Sequence, residues 1–292
     1  MIVRSLQALT AVLAFGLVAA CAAETSPPPP ATSVSVAAPR VDFADLEAKY
    51  DARLGLYALD TGTGREIGFR ADERFAYCST IKVPLVGALL RRGDDLNEVL
   101  TYSGADVVDN SPYTKDRTSV TLREAVESAL TQSDNTAANL MYRELGGPSA
   151  LGAVLREIGD TTTHADRTET DLNTAVPGDI RDTTTPRAMA ATLRTLVLGD
   201  ALPADKRDLL AGIMRGNTTG NATIRAGVPS GWSVADKTGS GSYGTRNDIA
   251  VVWPPSGAPI VIAVLTSRAT EDAGPQNPLL AEATARAVGA LR

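Results

Sequence analysis

Cys78-Ser79-Thr80-Ile81-Lys82 sets a hydroxyl and an amine three residues apart at the head of an apolar run. Residues three apart on a helix share a face, so Ser79 and Lys82 are neighbours. Beyond them the apolar residues recur as Ile81, Leu85, Leu89 and again as Val86, Leu90, the spacing of a helix whose stripe enters a core. Pro84 counts against an unbroken helix here, since proline is comfortable only in the first turn. A lysine on such a helix is largely buried, and desolvation lowers its pKa. A neutral amine beside a serine can take the hydroxyl proton and create a nucleophile. Alone the pair says little, because Ser-x-x-Lys occurs roughly once by chance in a chain this long.

Upstream, residues 1–20 hold one charge, Arg4, and an apolar run from Leu6 to Ala20, which reads as an export signal and not a spanning helix. The run ends Leu17-Val18-Ala19-Ala20-Cys21, which resembles a bacterial lipobox, whose cysteine is lipidated and becomes the new N-terminus. Cys21 is thus the candidate lipidation site of a cell-envelope lipoprotein; the alternative is simple cleavage to a secreted or periplasmic protein. Residues 21–40 are rich in Pro, Ala, Ser and Thr, with four prolines from Pro27 to Pro30, the composition of an extended tether. Residues 41–292 remain for folding, enough for one large domain or two closely packed lobes.

The chain has 28 basic and 34 acidic residues, net −6, which becomes −7 once Arg4 leaves with the signal. Nucleic acid is not an expected partner, and membrane contact is expected only through a lipid. With two cysteines in all, a lipidated Cys21 leaves Cys78 without an intrachain partner, so the core and not disulfides holds the exported protein. The single histidine, His164, argues against a His-based metal site and allows a Ser-His-Asp triad only through itself. No metal and no other cofactor is expected, and a monomer is.

Residues 42–52 read as a short helix, followed by strands over 53–59 and 65–69 around Thr61-Gly62-Thr63-Gly64, a hairpin signal. From Ser79 to about Leu210 the patterns are mostly helical. Strands return over 249–253 and 259–267, joined by Pro254-Pro255-Ser256-Gly257, and a helix closes the chain from about Asn277. The fold class expected is therefore α/β with two lobes: an antiparallel sheet lobe from both termini, about 41–70 and 212–292, and an inserted all-α lobe, about 71–211. A cleft between the lobes is the natural site.

Two further clusters lie downstream. Ser133-Asp134-Asn135 follows a helix that opens with the capping box Thr121-Leu122-Arg123-Glu124. It reads by itself as the N-cap of another helix running to Gly146-Gly147. Lys237-Thr238-Gly239 ends a strand-like segment from Trp232 and runs into Ser240-Gly241. Finding both clusters in this order behind Ser-x-x-Lys is on the order of one in a thousand by chance. The three together resemble the class A serine β-lactamases, across essentially all of residues 42–292; related penicillin-binding proteins share much of the framework.

Glu169-Thr170-Asp171-Leu172-Asn173 resembles that family's Glu-x-x-Leu-Asn element, in which the glutamate and asparagine hold a hydrolytic water in an Ω-loop. Arg167 and Asp182 match the loop's ion pair. The resemblance implies hydrolysis of the β-lactam amide of penicillins and cephalosporins. Ser79 is then the nucleophile, Lys82 or Glu169 its base, Ser133 a proton relay supported by Lys237, and Glu169 with Asn173 the water-activating pair. It implies substrate contacts from Asn135, Thr238, Gly239, Ser240 and Arg246, and an oxyanion site at the Ser79 and Ser240 N–H groups. The alternatives are a penicillin-binding D-Ala-D-Ala carboxypeptidase or transpeptidase, which Glu169 and Asn173 disfavour, and a non-catalytic penicillin-binding sensor. Three positions depart from common patterns in the family: Thr170 stands in place of a proline, Asn110 in place of an aromatic, and Gly241 where one subgroup has a cysteine bonded to the residue matching Cys78. Asp248 and Trp253 read as structural.

Overall fold

The chain enters the computed structural model, which describes residues 41–292, through α1 (Ala44–Tyr50) and the hairpin of β1 (Arg53–Asp60) and β2 (Glu66–Phe69). The export segment, Cys21 and the tether lie outside the described residues. Next come β3 (Phe75–Ala76), a 3₁₀ turn over Cys78–Ile81, α2 (Lys82–Arg92), β4 (Val99–Thr101) and β5 (Ser119–Thr121). Helices α3 (Leu122–Thr131), α4 (Asn135–Leu145) and α5 (Pro148–Glu157) lead to the long loop that ends at β6 (Thr183–Thr184). The rest is α6 (Pro186–Val197), α7 (Ala204–Arg215), the short α8 (Ile224–Gly227), β7 (Ser233–Ser240), β8 (Arg246–Trp253), β9 (Ile260–Ser267) and α9 (Asn277–Leu291).

The sheet expected from both ends of the chain is present as five antiparallel strands in the order β2-β1-β9-β8-β7. Both faces are covered, which makes its central strands read as continuous apolar runs. Leu54, Leu56, Ala250, Val252, Ile262 and Val264 point to a core shared with α1 and α9; Tyr57, Ile249, Val251, Val261 and Ala263 point to the core shared with the helices. Alternate residues on a strand face opposite ways, so one strand serves both cores. Helix α6 lies against β1, β8 and β9 and joins sheet to helices.

Two expectations needed adjusting. The middle of the chain also holds short strand pairs, β4 with β5 and β3 with β6, of three and two residues. Such segments are too short to show a period-2 pattern. Strand β8 starts at Arg246, three residues before the apolar run, because Arg246, Asn247 and Asp248 are polar yet pair with Ser240, Gly239 and Thr238 of β7. Pro84 is accommodated without a kink, since α2 begins at Lys82 and proline there occupies the first turn.

Candidate active site

The nucleophile candidate sits on the 3₁₀ turn over Cys78–Ile81, where residues three apart eclipse, so Ser79 and the first residue of α2, Lys82, rise on the same side. Both are buried, Ser79 at 7% and Lys82 at 0% exposure. Ser79 Oγ donates to Glu169 Oε1 at 3.1 Å, and Lys82 Nζ lies 3.0 Å from the same oxygen. Lys82 also donates to Asn135 Oδ1 at 2.6 Å, to the Ser133 carbonyl at 2.9 Å and to Ser133 Oγ at 3.3 Å. Burial pushes the Lys82 pKa below the ordinary lysine range, against the pull of the Glu169 carboxylate.

Ser133 Oγ lies between two amines, because Lys237 Nζ also donates to it at 2.9 Å. Burial, with the nearby Lys82 charge adding to it, holds Lys237 well below the usual lysine range. The Ser133 backbone is left-handed, φ 62°, a conformation that costs a serine about 1–3 kcal/mol. Its carbonyl is tied down by Lys82 and by Asn110 Nδ2 at 3.1 Å. Asn110, standing where the family often has an aromatic, is thus a clamp on Ser133 and itself left-handed at φ 57°.

Glu169 reaches the site from the loop between α5 and β6. Its Oε2 accepts from Asn173 Nδ2, and its main chain is gripped on both sides by Asn139, whose Nδ2 donates to the Glu169 carbonyl at 2.8 Å and whose Oδ1 accepts the Glu169 N–H at 2.9 Å. Asn173 Oδ1 is buried with no donor from the protein. The peptide between Glu169 and Thr170 is cis. The expected loop ion pair is present: Arg167 Nε donates to Asp182 Oδ2. His164 sits at the neck of the loop, its N–H bonded to the Thr183 carbonyl.

Strand β7 closes the third side. A side chain at Gly239 would place Cβ 2.8 Å from the Tyr77 carbonyl and 3.1 Å from the Ser79 nitrogen, so only glycine lets the strand pass this close to the nucleophile turn. Gly241 packs as tightly: a Cβ there would lie 2.8 Å from Cys78 Sγ and 2.5 Å from the Asn173 carbonyl. Cys78 is free and buried, and burial raises its thiol pKa. Arg246 donates to Ser240 Oγ at 2.8 Å, the Thr219 carbonyl at 3.0 Å and Asn277 Oδ1 at 2.7 Å, while Thr219 and Thr238 hydroxyls meet at 2.6 Å.

The expected site residues within 41–292 are therefore brought together in one cluster. Asp248 accepts from Thr223 Oγ1 and the Ile224 N–H, and the Arg215 guanidinium stacks 4.4 Å over the Trp253 ring, as structural residues would. Asn139, Thr219 and Asn277 were missed. Only Asn139 left a signal: it is four residues after Asn135 on an otherwise apolar helix face. A hollow of about 1030 Å³ lies elsewhere, among Arg53, Arg74, Phe75, Val176 and Ile180. Its charges are largely spent on one another, as in Arg53–Glu73 at 2.6 Å and Arg181–Asp179 at 2.7 Å.

Comparison with known proteins agrees with this geometry. A family model described as the beta-lactamase enzyme family matches residues 38–291. A β-lactamase of Amycolatopsis lactamdurans is 53% identical over 90% of this chain and 89% of its own length. Beta-lactamase AST-1 of Nocardia asteroides is 51% identical over 99% of this chain and 95% of its own. The crystal structure of a halotolerant bacterial β-lactamase, 51% identical, superposes with a TM-score of 0.83 over 85% of this chain and 98% of that one. These matches span the folded region at about half identity, and the chain belongs to the beta-lactamase enzyme family.

Proposed function

We propose that the protein is an exported class A serine β-lactamase that opens the lactam ring of penicillins and cephalosporins through an ester on Ser79. In acylation the Ser79 hydroxyl gives its proton to Glu169 or Lys82 while Oγ bonds the lactam carbonyl carbon. The C–N bond then breaks, and the leaving nitrogen takes a proton from Ser133 Oγ, which the proton removed from Ser79 replaces by way of Lys82, leaving Glu169 ionised for deacylation. The N–H groups of Ser79 and Ser240 stabilise the oxyanion. Asn135 and the Thr238, Ser240 and Arg246 edge hold the substrate's amide and acid groups. In deacylation a water gives a proton to Glu169, adds to the ester carbon, and the Ser79–carbonyl bond breaks as Oγ regains a proton.

The observation that carries the hydrolytic reading is a carboxylate hydrogen-bonded to Ser79 that is itself paired with Asn173. Glu169 Oε1 touches the nucleophile at 3.1 Å, and the adjacent Asn173 presents a buried oxygen that no protein donor uses. A water in contact with both would face the ester. A penicillin-binding transpeptidase has no need of that arrangement.

Glu169→Ala tests it. Acylation keeps Lys82 as a proton acceptor, whereas deacylation keeps none, and loss of a general base slows a step about a hundred- to ten-thousand-fold. The variant is expected to react with a penicillin and accumulate a covalent adduct with the mass of the intact antibiotic, while Ser79→Ala forms none. Turnover by Glu169→Ala at the wild-type rate would remove the loop from the mechanism. Stoichiometric labelling of the wild type without turnover would make the protein a penicillin-binding enzyme or sensor.

A further inference from the structure

Tyr77 is fully buried and stands immediately before the turn that carries Ser79. Its hydroxyl donates to Asp182 Oδ1 at 2.8 Å, and its N–H donates to the Asp182 carbonyl at 3.2 Å. The same Oδ1 accepts the backbone N–H groups of Asp166 and Arg167, each at 3.0 Å, and Oδ2 takes Arg167 Nε. Asp182 thus gathers the two ends of the loop into one neck, in which Arg167 stands two residues from Glu169. On its other side the Tyr77 carbonyl accepts from Thr80 Oγ1 at 2.8 Å and Asn247 Nδ2 at 3.1 Å, which fastens it to the nucleophile turn and to β8.

We propose that Tyr77 is a positioning residue for deacylation, its phenol setting the Ω-loop neck, and with it Glu169, at the correct distance from Ser79. This rests on the roles given above to Ser79 and Glu169. A phenol bonded to a buried carboxylate is charge-assisted and holds geometry well. Burial raises the Tyr77 pKa well above the ordinary tyrosine range, so the hydroxyl remains a donor at any working pH. Without the hydroxyl, Asp182 keeps its two backbone donors and Arg167, so the loop stays closed, but its carboxylate is no longer keyed to the nucleophile turn and only the Tyr77 N–H on the Asp182 carbonyl still joins the two. Deacylation depends on that registry, because Glu169 must aim a water at an ester fixed on Ser79. Acylation depends on it less, because Lys82 sits on the same turn and helix as Ser79.

Tyr77→Phe conserves the packing and deletes only the hydroxyl. Expected is a deacylation roughly tenfold slower, with kcat and KM falling together, kcat/KM held within about twofold, and the penicilloyl adduct visible by intact mass during turnover. Decay of the isolated adduct is first order in molecules that have already reacted, so it reads deacylation even if part of the sample is unfolded. A lower Tm with unchanged kcat per active site would make Tyr77 merely structural and overturn the proposal. So would a fall in kcat at constant KM with no adduct. Wild-type turnover by Tyr77→Phe, alongside a trapped adduct in Glu169→Ala, overturns this inference and leaves the hydrolase reading intact; a trapped adduct in the wild type overturns both.

Discussion

Arg246 is a half-buried cation to which the fold gives no carboxylate partner among the described residues. Its three bonded acceptors are neutral, and among the described residues no carboxylate lies within ion-pair distance of it. Burial lowers its pKa from the ordinary guanidinium value, even with Asp248 and Asp236 opposing. Such a charge is costly until an anion arrives, and the guanidinium fork then offers charge-assisted bonds. Arg246→Ala is expected to weaken apparent binding of a penicillin by about 1.5–3 kcal/mol, read as kcat/KM, with the protein still folded. The loss should vanish for a substrate whose carboxylate is esterified. Equal kcat/KM for variant and wild type on the free acid would remove Arg246 from substrate recognition.

Ser133-Asp134-Asn135 shows how a short segment can serve two ends at once. Ser133 and Asn135 face the cleft through Lys82 and Lys237, while Asp134 turns inward and caps α4. The capping carboxylate does more than cap: Oδ1 accepts from the Ala137 N–H and Thr114 Oγ1, both at 2.8 Å, and Oδ2 from the Tyr113 and Thr114 N–H groups at 2.9 and 3.0 Å. It fastens the Asn110 loop to the start of the helix. Loss of an exposed cap costs about 1 kcal/mol; loss of a buried one that strands three further donors should cost more. Asp134→Ala is therefore expected to lower unfolding free energy by about 2–4 kcal/mol in a urea titration. A drop of about 1 kcal/mol or less would mean the loop contacts add nothing.

Sheet and site depend on both ends of the folded chain. β1 pairs with β9 along its whole length, Arg53 with Ser267 through Asp60 with Ile260, and β7 and β8 carry Lys237 and Arg246 into the cleft. Among the described residues no helix is long and apolar enough to cross a membrane. With a net charge of −6, the chain has no overall electrostatic attraction to an anionic bilayer. We propose that lipid on Cys21 attaches the protein to the envelope, where more than one acyl chain makes attachment stable. The mature protein is expected to partition into detergent with the membrane fraction, and Cys21→Ser to release it or block maturation. A wholly soluble wild type with an unmodified N-terminus would leave cleavage and secretion in its place.

The local geometry of the fold was legible from neighbouring residues. Ser79 and Lys82 are three apart, the capping box at Thr121 and Glu124 formed as spelled, and the apolar runs at both ends became the central strands. Each of these rests on neighbours in sequence, where backbone geometry alone decides who meets whom. The supports of the site were not legible. Tyr77 meets Asp182 across 105 positions, Asn139 holds Glu169 across 30, and Asn277 meets Arg246 across 31. The polar start of β8 lies before the apolar run that marks the strand, and only its pairing with β7, Ser240 with Arg246, adds it. Nothing local selects these partners. They are chosen by how the sheet, the helices and the Ω-loop pack, since a buried polar group takes whichever complementary atom the packing brings within reach.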